Sequence, residues 1–200
     1  MTARHHTQAK VDRRVGRTRN RLALALRELI QQRTLDDITV QDVLDRAGVG
    51  RSTFYSHFRN KADLFLSDLD EFLAGVANHL CRSREASQRL LPVRELFTHV
   101  GEMRPLYAAL SRSLRLSDFD EMAREHFARG IDERLRQLPR ARGLGTLQRK
   151  ALAHALAGSV VAQLDWWLRS GRKLSPEAMD RLFHQLAWSG IAGEPANVKR

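Results

Sequence analysis

The stretch TVQDVLDRAGVGRSTFYSHFRNKADLF, residues 39–65, decides the fold. Thr39 reads as a helix N-cap, with Asp42 three residues on to complete a capping box. Val40, Val43, Leu44 and Ala47 then recur at i, i+3, i+4 and i+7, the buried face of a two-turn helix. Gly48-Val49-Gly50 ends it, because a tight reversal needs a residue that accepts the left-handed conformation. Val49 is expected to plug that turn into the core. A third helix is predicted from Arg51 to about Phe58. Phe54 and Phe58 lie one turn apart and face inward. Ser52, Thr53 and Ser56 point roughly the other way, with Arg51, Tyr55 and His57 on the flanks.

Two short helices joined by a glycine-containing turn make a helix-turn-helix, whose second helix presents its N-terminal residues to base edges in the major groove. The residue types suit that task. Arg51 can make paired hydrogen bonds to guanine, and Ser52, Thr53 and Ser56 can reach bases or phosphates. Thr39 and Lys61 begin their helices, where backbone amides and the helix dipole favour a phosphate. Arg17, ahead of this segment, and Gln41 within it complete the expected phosphate-contacting set.

Outward from the motif, the first helix is predicted over residues 18–33, with Leu22, Ala25, Leu26, Leu29 and Ile30 as its apolar stripe. A long fourth helix is predicted from Arg59 or Asn60 to about Arg82. Later helices fall near residues 93–100, 105–114, 119–138, 146–170 and 176–191, the last opened by Ser175-Pro176. No stretch reads as a strand, so the fold class is all-α. The chain divides into a basic arm at 1–16, expected to be mobile, a helix-turn-helix domain at 17–62, a helical domain at 63–192 and a tail at 193–200.

Charge points the same way. The chain of 200 residues carries a formal net charge of +11, and seven Arg/Lys against one Asp fall within residues 1–21. An anionic partner, first of all nucleic acid, follows from that balance. Cys81 is the sole cysteine, so no intrachain disulfide can form. It reads as a small buried residue more readily than as a thiol sensor. No apolar run is long enough to span a bilayer, so no membrane partner is expected and the default location is cytoplasmic.

The motif resembles the DNA-binding region of the TetR (tetracycline-repressor-like) family. The resemblance covers residues 18–66 and rests on Ala47-Gly48-Val49, Thr53, Phe54-Tyr55-x-His57-Phe58, and Lys61 followed by Leu64. Gly50 departs from it, since the family often has serine there, but glycine is also an acceptable N-cap. The resemblance implies that Thr39, Tyr55, His57 and Lys61 hold phosphates while Arg51, Ser52 and Thr53 read sequence. It also implies a C-terminal helical domain that binds a small molecule and forms a two-fold dimer. The expected function is a homodimeric repressor released from palindromic double-stranded operator DNA by a small-molecule effector.

For the dimer, small residues recur along Ala151, Ala155, Gly158 and Ala162, and Trp166 follows. With Leu182, Phe183 and Leu186 they form the expected four-helix interface. For the ligand pocket, Phe97, Met103, Leu106, Tyr107, Met122 and Phe127 offer apolar lining, and His99 and His126 offer polar contacts. No glycine-rich phosphate loop, nucleophile elbow or metal-ligand spacing is found, so no catalytic residue, metal or cofactor is assigned. The rival reading is a helical ligand-binding or adaptor protein of the same fold without specific DNA binding.

Overall fold

A computed structural model of the chain describes residues 2–82, 86–103, 107, 116–171 and 173–192. Among these residues every regular element is helical. The helices are α1 (Thr2–Ile30), α2 (Val40–Ala47), α3 (Arg51–Tyr55), α4 (Lys61–Arg82), α5 (Val93–Glu102), α6 (Leu116–Gln137), α7 (Thr146–Arg169) and α8 (Pro176–Ala192), with a 3-10 turn at Pro139–Ala141. The helix expected at residues 105–114 and the tail at 193–200 lie outside the described residues, apart from Tyr107. Two compact units result: Met1–Asp70 with Met103–Leu114, and Glu71–Glu102 with Arg115–Arg200. The helical α4 runs without a break through the boundary at Asp70.

In the first unit, the stretch expected as a mobile arm is helical from Thr2 and continuous with α1. No proline interrupts residues 2–30, and Ala, Lys, Arg and Gln are good helix formers. The α1 stripe of Leu22, Ala25, Leu26, Leu29 and Ile30 is buried as predicted. The Thr39–Asp42 capping box is present in both directions, at 3.1 and 2.8 Å. Gly48 sits at φ 59° and closes α2. Its conformation is one that other side chains adopt at a cost. Arg21 of α1 donates to the carbonyls of Ala47 and Gly48, a cation where the helix dipole is negative. The third helix is shorter than expected. After Tyr55 the chain tightens into a turn in which His57 N–H donates to Phe54 O, and Phe58 still reaches the core.

In the second unit α6 packs along α7 and α5 against α8. The segment before α5 is held by side chains from two helices. Arg134 of α6, itself buried, donates to the carbonyls of Ser87 and Arg89. From α8, Trp188 Nε1 donates to Gln88 O, and His184 Nε2 accepts from Leu90 N–H. Arg89 bridges Glu95 and Asp180 at 2.5 and 2.8 Å. Burial alone would raise both carboxyls. The bonds from Arg89 hold Glu95 at about 2, and those from His184 and Arg89 hold Asp180 at about 2. A lowered carboxylate pKa stabilises the fold above the ordinary range near 4, and that gain disappears as the pH falls towards 2. Wild type should therefore exceed Arg89→Met in stability by about 1–3 kcal/mol at neutral pH, a figure reduced for partial exposure. Denaturant melts from about pH 5 to pH 2 should show that excess shrinking. A difference independent of pH would contradict the ion network.

Candidate nucleic-acid interface

The reading surface is built on one anchor. Phe54 is fully buried and packs against Phe58, with ring centroids 5.9 Å apart. Tyr55 meets the Phe54 ring edge-on at 5.3 Å and remains 52% exposed. With Phe54 inward, the helical period turns Arg51, Ser52, Thr53, Tyr55 and Ser56 to solvent, and all are exposed. His57 is half-buried beside Phe58. Arg17 is exposed on α1.

Arg51 is steered from the neighbouring helix. Its Nη2 donates to Gln41 Oε1 at 3.1 Å, while Gln41 Nε2 donates to Asp45 Oδ1 at 2.8 Å. Gln41 thus orients the guanidinium from the exposed face of α2, a role that spacing alone did not reveal. Ser56 Oγ donates to Thr53 O, so it keeps only acceptor capacity.

Two residues expected at phosphates have internal partners. Thr39 is exposed, but its hydroxyl accepts from Asp42 N–H and donates to the Asp42 carboxylate at 2.7 Å. These bonds, from the Thr39 amide first, hold the Asp42 carboxyl below its ordinary range, so an anion already occupies the start of α2. Lys61 Nζ donates to the carbonyls of Leu35, Asp36 and Ile38 at 2.8, 2.9 and 2.6 Å. An ammonium has three protons, and all three are used.

The expected ligand residues divide between the units. Phe97, His99, Met122, His126 and Phe127 belong to the second, Met103 and Tyr107 to the first, and Leu106 lies outside the described residues. Phe97 is buried against Trp167, and His99 stacks on Phe72 at 4.3 Å. Phe127 and His126 are buried, the latter with Nδ1 3.0 Å from Arg129 Nη2. Tyr107 is buried, which pushes its hydroxyl pKa up. An open hollow of about 510 Å³ has Phe97 and Trp167 in its wall. Another of about 630 Å³ lies along α8, by Arg140 and Trp188, and includes none of the expected pocket residues.

On the expected dimer face, Ala155, Ala162, Trp166, Leu182 and Leu186 are exposed and Gly158 is half-buried. Phe183 departs from that set. It is fully buried with Met179 and Ala187, one turn to either side, so it serves its own unit's core. Cys81 is half-buried, and burial raises its thiol pKa, which disfavours the reactive thiolate.

Residues 24–67 match the family described as "Bacterial regulatory proteins, tetR family". The match runs from within α1 to within α4 and takes in the whole helix-turn-helix. Over 184 residues this chain is 24% identical to the HTH-type transcriptional activator FasR of Mycolicibacterium smegmatis, covering 88% of this chain and 84% of that one. Among solved structures, a TetR transcriptional regulator from Streptococcus agalactiae 2603V is 25% identical with a TM-score of 0.56, covering 90% of this chain and 98% of that one. The dihydroxyacetone kinase operon activator DhaS has a TM-score of 0.64 at 16% identity, covering 87% and 96%, and is similar in fold. No described helix of this chain is long and apolar enough to cross a membrane.

Proposed function

We propose that this DNA-binding transcriptional regulator acts as a homodimer on a palindromic operator, and that a small molecule bound by its second unit alters its hold on DNA. The observation that carries the reading is α3: Phe54 is sealed in the core, and Arg51, Ser52, Thr53 and Tyr55 are left exposed beside it. Arg51, Ser52, Thr53 and Ser56 are assigned to base edges, and Arg17, Gln41, Tyr55 and His57 to the backbone. We assign the effector to Phe97, His99, Met122, His126 and Phe127, of which Phe97 lines the hollow of about 510 Å³. Because α4 belongs to both units, a change at its second half has a covalent route to its first, which is the linkage that release by a ligand requires. A cytoplasmic location follows from the need to reach DNA.

Unbiased selection of bound duplexes tests the reading. A palindromic consensus supports it, and no enrichment over unselected DNA at low salt refutes it. Arg51→Ala should cost about 1–3 kcal/mol at one symmetric pair of operator positions and relax preference there. An unchanged ranking of operator variants would remove Arg51 from the base readers. Repression is the simplest consequence of a dimer seated on a promoter. The names of FasR and DhaS favour activation as a second reading. A reporter driven from the selected operator, with and without the chain, decides between them.

A further inference from the structure

We propose that Lys61 is a positioning residue and not a phosphate ligand: its ammonium ties the first turn of α4 to the loop ahead of α2 and so sets the pose of the reading helix. The proposal rests on the DNA-binding reading and deepens it. The three carbonyls that Lys61 meets belong to Leu35, Asp36 and Ile38, and thus to the link between α1 and α2. Ile38 is fully buried, and the next residue is the N-cap Thr39, so fixing this loop fixes where α2 begins. Arg21 grips the other end of α2 through the carbonyls of Ala47 and Gly48. A cation from α1 and a cation from α4 therefore hold α2 at both ends. The α3 helix has five residues and no side-chain cap, so it takes its orientation from α2 and from Phe54.

Removing Lys61 leaves the part-buried carbonyls of Leu35 and Ile38 without their ammonium donor, while that of Asp36, which is exposed, turns to water. The loop then relaxes, and α2 and α3 lose their alignment with the groove. Such a loss acts on every operator alike and does not subtract a phosphate contact.

The wild-type chain tests the tether directly. Reductive methylation of the free protein, followed by mass spectrometry, should find Lys61 slow beside exposed Lys150, and adding duplex should change its rate little. A Lys61 that reacts as fast as Lys150 when free, and gains protection only with DNA, overturns the proposal. A Lys61→Met variant adds a second test at a temperature where circular dichroism shows it fully folded. Affinity should fall about tenfold, the scale of a lost set of charge-assisted bonds, and Lys61→Arg should restore part of it. Plots of log affinity against log salt should stay parallel to wild type. A slope reduced by about one marks a lost phosphate contact and overturns the tether. Unchanged affinity in the folded variant overturns it too, because Lys61 would then serve stability alone. If no duplex binds wild type at low salt, the DNA-binding reading fails, and with it the positioning role.

Discussion

Gly130→Ala should lower the melting temperature, and Gly130→Val should lower it further. Gly130 lies in α6, where an added β-carbon would come within 2.4 Å of the Ala77 carbonyl oxygen on α4 and 2.9 Å of its carbonyl carbon. That obstacle is backbone, so the two helices would have to separate. Overpacking of this kind costs about 1–3 kcal/mol, against a gain of about 1 kcal/mol in helix propensity for alanine over glycine. For valine the added volume grows while the propensity gain shrinks. Gly75 supplies the control. It also lies in α4, but nothing stands within 4 Å of its would-be β-carbon, so Gly75→Ala should raise stability by about 0.5–1 kcal/mol. Opposite signs for the two alanine variants in calorimetry are the expected outcome. A Gly130→Ala protein that melts at or above wild type would contradict the close approach of the two helices.

The double variant Leu182→Asp, Leu186→Asp should yield a monomer with weakened operator binding. Leu182 is 47% exposed, Leu186 55% and Trp166 51%. Ala151, Ala155 and Ala162 are exposed on α7, which contacts α8. An exposed apolar strip of this composition is what a second copy would cover. Unpaired carboxylates there would each cost about 3–5 kcal/mol on association, enough to move a submicromolar dimer beyond ordinary working concentrations. The same changes should leave the monomer folded, since both side chains point away from their own core. Light scattering reads the mass, and titration of the selected operator reads the affinity. A variant that remains dimeric would move the interface elsewhere.

The first unit was largely legible because its signals are local. Thr39 and Asp42 cap within four residues, Gly48 ends α2 in the left-handed region, and Phe54 and Phe58 share one face at helical spacing. What spacing conceals is the partner brought from far along the chain. Lys61 reads as a free cation at a helix start until the fold places three carbonyls around it. Arg51 and Gln41 are ten residues apart, yet their side chains meet. Phe183 and Leu182 are both large and apolar, and only the position of α5 and α7 decides which is buried. Arg134 sits in a strongly polar helix and is nevertheless among its most buried residues, because the segment 87–90 lends it carbonyls. Gly130 gave no turn signal, since its role is to let a neighbouring backbone come near.

The alternation on α8, with Phe183 and Ala187 inward and Leu182 and Leu186 outward, has a bearing on how such chains can diverge. Losing one residue within this helix turns everything after it by about 100°, which would trade core for surface along the rest of the element. Single-residue insertions and deletions should therefore be purged from α8 while point changes on its outer face accumulate. Because that outer face is where partner choice would reside, related copies within one genome could drift apart in whom they pair with while keeping the same interior.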